Sequence, residues 1–368
     1  MKKTDLCDYQ LRVLHLHLTR NCNLSCKNCW ISSAPNIETN YISPSAFQDL
    51  IEECGLLGLR EIKLSGGEPF IYPFFEQISH YTLESGYKLR IETNGTVCSP
   101  RAISNLSKYA DNIEFVISLD GSNSLVNSQS RNCECNYNKT IDTCKLIKEI
   151  GCKLAITTLI TKDNYYDVDD IIALAVSLSA DSHRLILNLN PAGNAASHLE
   201  GAISFDETMS LIDKISRYEH HDESRGKTGS LYTTLPPAFQ KTQEKFFNMC
   251  YWGLNLCTVL SNLNVSLCGA GYNNADLIAG NLRESNISSI WTESELFQKI
   301  RKHPNGGLKG ICGNCKLVQK CRGLCRAQSV SVYGDLFAPY PFCQLAYKNH
   351  NFPSHLLIDP SASSEYYR

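Results

Sequence analysis

A chain of 368 residues, 43% hydrophobic and 20% charged, has the balance of an ordinary globular protein and room for a large α/β domain plus a smaller module. Its net charge of -2 leaves no basic footprint for nucleic acid or an anionic membrane. Met1-Lys2-Lys3-Thr4-Asp5 lacks the apolar core of a signal peptide, and no run approaches a membrane span, so a cytoplasmic protein with no membrane association is expected.

In chain order, apolar runs at 11–19, 61–65, 88–94, 113–120, 153–161 and 184–190 predict strands. Amphipathic stretches at 44–57, 74–85, 100–109, 139–150, 168–179 and 205–217 predict the helices between and after them, with Gly58, Gly86 and Gly151 as stops. Alternating β and α implies parallel strands with helices outside. Six units are too few to close an eight-stranded barrel, so the expected α/β fold is a partial, TIM-like (β/α)6 barrel.

Strand alternation adds a constraint. Leu14, Leu16 and Leu18 share one face of the first run, with His15, His17 and Thr19 opposite. Lys63 and Ser65 in the second run, Arg90, Glu92 and Asn94 in the third, and Glu114, Ser118 and Asp120 in the fourth repeat the pattern; Asn188 and Asn190 do so in the sixth. A strand covered on both faces by packing alone is apolar throughout, and an unpaired buried polar group costs roughly 2–7 kcal/mol. The barrel interior is therefore expected to hold water, ligand or a polar network.

Residues 219–245 are charged and then Thr- and Pro-containing, and from about 246 the chain becomes rich in cysteine and glycine, a composition suited to a module held by metal. The expected division is 1–220 for the barrel, 221–245 for a linker or substrate-facing loop, 246–350 for the cysteine-rich module and 351–368 for a tail.

The 18 cysteines are too many for structural chance. Disulfides would suit a small secreted chain, whereas this one is large and has no signal, so their spacing argues for metal. Directly after the first strand run, Cys22, Cys26 and Cys29 are spaced C-x3-C-x2-C. Three thiolates on one loop can hold three irons of a cubic [4Fe–4S] cluster and leave the fourth open, where electron-transfer ferredoxins ligate all four. The second strand run leads into Gly66-Gly67-Glu68-Pro69, where adjacent glycines let backbone approach a ligand. Taken alone, that tetrapeptide is also compatible with a tight βα turn.

Together these motifs resemble the radical S-adenosylmethionine (SAM) enzymes over residues 11–200. The resemblance implies that the open iron chelates SAM and that one-electron cleavage generates a 5′-deoxyadenosyl radical, which abstracts a substrate hydrogen. It places Gly66, Gly67, Glu68 and Pro69 at the methionine amino group. Ser118 and Arg131 fall at the ribose and carboxylate, with Asn94 as a further contact. Asn28 departs from the family's usual aromatic residue; Trp30 either shields the adenine or belongs to the core.

Downstream, Cys312-x2-Cys315-x5-Cys321-x3-Cys325 is followed by Cys343 and preceded by Cys250 and Cys268. Such pairs also suit structural zinc, yet the seven positions together resemble the SPASM extension of radical SAM enzymes. That likeness implies two auxiliary [4Fe–4S] clusters, three in all with the first. Cys312, Cys315, Cys321 and Cys343 would hold the outer one, and Cys250, Cys268 and Cys325 the inner. The inner cluster's fourth ligand is Cys257 or an open position. Leu263 replaces the family's glycine before Cys268, so a differently built turn is expected. Gly269 replaces the Asp that serves as base in sulfatase-maturing relatives, which discounts that activity.

His17, Lys63, Glu92, Glu114 and Asp120 are the candidate bases. Cys144 and Cys152 read as buried hydrophobes, and Cys133-Glu134-Cys135 as a loop that could carry a redox thiol. The expected activity is oxidation or crosslinking of a ribosomally made peptide. The alternatives are the same chemistry on a small molecule, such as a sugar or amino alcohol, and a non-enzymatic iron–sulfur or zinc scaffold. With about ten residues before the first strand, docking of a peptide falls to a separate recognition protein or to residues 192–204 and 219–245. A flavodoxin- or ferredoxin-type reductant completes the expected partners.

Overall fold

The computed structural model describes residues 9–38, 41–131, 137–187, 190–221, 230–240, 251–303, 307–364 and 366. Cys7, Cys133, Cys135, Asn188, Cys250 and residues 222–229 and 241–245 of the expected loop lie outside that set.

The six expected strands are present as β1 (Val13–Thr19), β2 (Glu61–Gly66), β3 (Lys88–Thr93), β4 (Ile113–Ser118), β5 (Lys153–Leu159) and β6 (Ser182–Ile186). They lie side by side in chain order and pair in parallel. β6 starts and ends earlier than its expected 184–190, because its pairing with β5 runs from Ser182 to Ile186. Two further parallel strands extend the sheet: β7 (Ser230–Thr233) beside β6, and β8 (Leu256–Val259) beside β1. β9 (Asn264–Ser266) and β10 (Ile278–Asn281) continue antiparallel beyond β8, giving ten strands in one open sheet. The cysteine-rich module is thus hydrogen-bonded to the barrel's first strand.

The connecting helices are α1 (Pro44–Leu56), α2 (Phe75–Glu84), α3 (Pro100–Asn105), α4 (Ser124–Arg131), α5 (Tyr137–Glu149), α6 (Val168–Ser177) and α7 (Phe205–His221). α1 shows why they form where they do. Ser43 Oγ accepts the Ala46 N–H at 3.1 Å and Pro44 opens the first turn. Phe47, Leu50, Ile51 and Cys54 then recur at i, i+3, i+4 and i+7 and are buried. Gly58, at φ +100°, stops the chain in a conformation that other residues avoid. These side chains pack with Leu14, Ile62, Leu64 and Ile91 in one continuous core, each contributing about 1.5–3 kcal/mol of burial before entropy is counted. α3 is shorter than expected, since a 3-10 turn with Tyr109 outside helical geometry follows it. The predominantly polar α4 shows no clear apolar stripe and was not anticipated; it is anchored through Asn127, whose Oδ1 accepts the Asp120 N–H at 3.0 Å.

The C-terminal part carries α8 (Ile287–Glu293), α9 (Glu295–Lys302), α10 (Gly310–Gly313), α11 (Val318–Cys321), α12 (Arg326–Tyr333) and α13 (Pro341–Lys348). Residues expected as a tail pack against it: Lys316 N–H donates to Leu356 O, and Gln344 Nε2 to Ser364 O. Leu263 takes a left-handed turn, at φ +68°, against the preference of a branched side chain. Among the described residues, no helix is long and apolar enough to cross a membrane.

The polar interior holds two histidines in edge-to-face contact. His15 and His17 are almost fully buried, with ring centroids 4.7 Å apart. Burial, aided by Lys63 and Arg90, lowers His15 to about 3. The unfolded chain takes up protons below its ordinary pKa of about 6.5, and the folded chain does not until about pH 3. Stability present above pH 6.5 is therefore lost as pH falls, by about 1.4 kcal/mol per pH unit for such a histidine. Denaturant unfolding at pH 6, 5 and 4 is expected to show a smaller loss in His15→Gln than in the parent; equal losses would mean that His15 is charged in the fold.

Candidate functional site

β1 ends at Thr19, and the chain turns over the end of the sheet into the three-cysteine loop. Cys22 is buried and Cys26 and Cys29 are half-buried. Burial pushes the Cys22 thiol up to about 12, and the neighbouring Glu68, Cys26 and Cys29 add to the rise. Backbone donors already face the sulfurs: Leu24 N–H lies 3.4 Å from Cys22 Sγ, and Ser33 N–H 3.3 Å from Cys29 Sγ. Three thiols on one loop, two of them facing backbone N–H donors, suit a cationic iron centre.

The Gly-Gly-Glu-Pro turn is joined to this loop through backbone. Gly67 N–H donates to Thr19 O at 2.6 Å and Glu68 N–H to Asn21 O at 2.9 Å. Gly66 takes φ +120°, and a Cβ at Gly67 would collide with the carbonyls of Asn21 and Arg20. Pro69 opens the 3-10 turn Pro69–Ile71. The Glu68 side chain, expected at an ammonium group, is hydrogen-bonded within the protein. Its carboxylate is fully buried and accepts Phe70 N–H at 3.1 Å, Thr93 Oγ1–H at 2.7 Å and Asn94 N–H at 2.9 Å. Burial raises its pKa, and those three donors, with Arg131, oppose the rise. What this turn presents to a ligand is backbone; the side chain ties β2 to β3.

Asn94 is buried beside the loop, with Nδ2 3.7 Å from Cys22 Sγ and 3.0 Å from Asn23 Oδ1. Its amide is hydrogen-bonded to the cysteine loop. Ser118, the last residue of β4, is half-buried on the inner face. Arg131 ends α4, buried, with Nε 2.9 Å from Asp120 Oδ2. Its carbonyl accepts the Lys27 N–H, so α4 also braces the cysteine loop.

Two of the five candidate bases are held in ion pairs. Asp120 pairs with Arg131 and accepts Leu159 N–H, and Glu114 Oε2 sits 2.5 Å from Arg90 Nε. His17, Lys63 and Glu92 line the interior. Both ring nitrogens of His17 are buried without a hydrogen-bond partner, and burial, with His15, lowers its pKa well below the ordinary range. Burial lowers Lys63, which Glu92 opposes, and Glu92 lies 3.7 Å from His15 Nε2.

Downstream, Cys312, Cys315, Cys321 and Cys343 converge on one cavity with Ile311, Leu317 and Phe352. Burial raises Cys343 well above its ordinary value, and Cys312, Cys321 and Cys315 raise it further, so the four thiols share a neighbourhood. Tyr340 N–H faces Cys312 Sγ at 3.2 Å and Leu317 N–H faces Cys315 Sγ at 3.4 Å. Cys325 is half-buried in a different setting, with backbone donors from Gln328 and Ala327 lowering a pKa that burial raises. Cys268 precedes Gly269, where a Cβ would stand 2.6 Å from His17 Cε1 and 2.9 Å from Trp30. The position matched to the sulfatase-type Asp has no room for a side chain, and Trp30 packs in this contact. Cys257 does not join Cys268 or Cys325. It is registered with Leu14 on the helix-facing side of the sheet, fully buried near Cys54 on α1 and Arg301. Among the described residues, no three Cys, His, Asp or Glu side chains close on a single-ion site; ligands to separate irons of a cubane need a wider spread.

Residues that sequence reasoning missed are Asn23, Thr93 and Thr96, which hold Asn94 and Glu68. Their signal was present as Thr93-Asn94-Gly95-Thr96 at a strand end, a cluster that favours side-chain to backbone bonds.

The radical SAM superfamily model matches residues 16–175, and an iron–sulfur cluster-binding domain model, SPASM, matches 250–316. An AdoMet-dependent heme synthase of Methanosarcina barkeri is 26% identical over 349 residues, 90% of this chain and 96% of that protein. Mycofactocin maturase MftC of Mycobacterium tuberculosis is 26% identical over 329 residues, 89% of this chain and 81% of that protein. Among solved structures, Streptococcus suis SuiB bound to precursor peptide SuiA aligns with a TM-score of 0.73 at 17% identity, covering 91% of this chain and 76% of that one. Native anSMEcpe with bound AdoMet aligns at 0.68 and 15%, covering 92% and 97%.

Gly67→Ala is expected to lower stability by about 1–3 kcal/mol through overpacking and to reduce iron incorporation, read by iron and sulfide assay after anaerobic reconstitution. Because a thiol must release its proton to bind iron, incorporation by the parent is expected to be more complete at pH 8.5 than at pH 7.

Proposed function

Because this chain belongs to the radical SAM superfamily and carries a SPASM domain, we propose that it is an oxidoreductase that modifies a peptide at a site between the Cys22–Cys29 loop and the Cys268 turn. The observation that carries the reading is the backbone junction of the three-cysteine loop with the Gly66-Gly67 turn at the mouth of a polar interior. Cys22, Cys26 and Cys29 would hold a [4Fe–4S] cluster with an open iron. The chemistry it supplies with SAM is one-electron cleavage, yielding methionine and, after hydrogen abstraction from substrate, 5′-deoxyadenosine.

The protein's own groups prepare this. Gly66 and Gly67 offer backbone that no side chain obstructs. Trp30 and Gly269 close one wall and exclude water. His17 faces the interior with both ring nitrogens free of hydrogen bonds, and Lys63, Arg90, Glu92 and Glu114 are the ionisable groups on that face. Cys312, Cys315, Cys321 and Cys343 would hold a fully ligated outer cluster. Cys250, Cys268 and Cys325 would hold an inner one with an open position, since Cys257 faces the helical layer.

The peptide is favoured by the likeness to a mycofactocin maturase, alongside a fold shared with a protein solved with its precursor peptide. A small-molecule substrate is the second reading, favoured by the end-to-end match to a heme synthase. Anaerobically reconstituted protein is expected to carry about 12 iron atoms, four for each of three clusters. With dithionite and SAM it should form 5′-deoxyadenosine, and the Cys22/Cys26/Cys29→Ala variant should form none. Equal product from both removes the enzymatic reading. A mass change in peptides coexpressed from neighbouring short genes supports the peptide. Stimulation of 5′-deoxyadenosine by a heme precursor, with every peptide unchanged, supports the second reading.

A further inference from the structure

We propose that Asn94 tunes the reduction potential of the cluster held by Cys22, Cys26 and Cys29, by donating a hydrogen bond from its side-chain amide to the Cys22 sulfur. The inference rests on the reading of that loop as a cluster site. Asn94 Nδ2 lies 3.7 Å from Cys22 Sγ, within reach of a bond to sulfur, and 3.0 Å from Asn23 Oδ1.

The orientation of the amide follows from its other end. Asn94 Oδ1 accepts Thr96 N–H at 2.8 Å and Thr96 Oγ1–H at 2.6 Å. A backbone N–H can only donate, so a flipped amide would set donor against donor. Thr96 Oγ1 in turn accepts from Asn23 Nδ2 at 2.8 Å. Asn94, Asn23 and Thr96 thus close a ring in which each side-chain donor finds one acceptor. One N–H of Asn94 stands outside the ring, and the sulfur is its partner.

The residue cannot easily turn away. Its backbone N–H is held by Glu68 Oε2 at 2.9 Å and its carbonyl accepts Thr140 Oγ1–H at 3.0 Å, and it is 8% exposed. Reduction places additional electron density on the cluster sulfurs, so a fixed donor stabilises the reduced form more and raises the potential. Glu68, whose charge raises the Cys22 pKa, acts in the opposite sense from the same shell. Asn94 is a positioning and tuning residue: it touches the ligand of the cluster rather than substrate.

The test is a redox titration of the anaerobically reconstituted full chain, followed by electron paramagnetic resonance. The signal to follow is the one that changes on adding SAM, which assigns it to the cluster with the open iron. Asn94→Leu removes the donor without adding charge, and Asn94→Asp keeps the acceptor for Thr96 while removing the donor. At the parent's midpoint, the ratio of reduced to oxidised cluster is expected to fall about tenfold in Asn94→Leu, about 59 mV for a one-electron couple. Asn94→Asp should shift further in the same direction, and Thr96→Val, which unlocks the amide, less. Unshifted midpoints in Asn94→Leu and Asn94→Asp with parental iron content overturn the proposal. So does loss of iron from both, which would make Asn94 a support of the loop alone. A parent without any SAM-responsive signal overturns the cluster reading itself, a result distinct from either.

Discussion

Two backbone hydrogen bonds, Gly67 N–H to Thr19 O and Glu68 N–H to Asn21 O, join the end of β2 to the entrance of the cysteine loop. They require approach distances that a Cβ at Gly66 or Gly67 forbids. The Glu68 carboxylate then carries the connection to Thr93 and Asn94 at the end of β3. Three adjacent strand ends are locked by one turn, and the loop that bears Cys22 inherits their rigidity. A buried carboxylate with three donors is strongly coupled to its surroundings: a hydrogen bond to a charged group typically contributes about 1.5–3 kcal/mol. The turn is therefore structural support and ligand platform at once.

The interior shows the reciprocal cost. Outward residues of β2, β3 and β4 are apolar and buried, while Lys63, Arg90, Glu92, Glu114 and Ser118 are half-buried on the inner face. Some charges neutralise one another, as Arg90 does with Glu114 and Glu61. His15 and His17 remain neutral because ionising them in the interior is unfavourable. A core selected for stability alone would fill this space with aliphatic side chains. Retaining polar groups there is intelligible if the interior is a place for chemistry.

The cysteine-rich module gains its position from β8, which pairs with β1 over Val13–Leu16. That register sends Cys257 to the helical layer and lets the turn after β9 bring Cys268 and Gly269 against His17 and Trp30. Tyr272 adds a second connection, accepting Ser261 N–H and lying 4.9 Å beneath the Arg20 guanidinium. Packing between the module and the cysteine loop is thus direct, through rings and backbone.

Much was legible in the sequence because it depends on short-range periodicity and spacing. Alternation such as Leu14-His15-Leu16-His17 declares a two-faced strand, and C-x3-C-x2-C declares a local metal loop, whatever the rest of the chain does. The (β/α)6 order, the polar interior and the grouping of Cys312, Cys315 and Cys321 follow from such local facts. Tertiary structure alone decided matters that depend on register and on which donor reaches which acceptor. The four-residue β7 and β8 exist because β6 and β1 offer edges, and α4 because Asp120 and the cysteine loop give it partners. The donors that hold the Glu68 carboxylate include Thr93 and Asn94 at the end of β3, and the Asn94 amide is oriented by Thr96. Cys257 sits eleven residues before Cys268 in the chain, yet one step of strand alternation faces it away. Local chemistry is written in spacing, whereas the direction of a side chain is set by what pairs with its backbone.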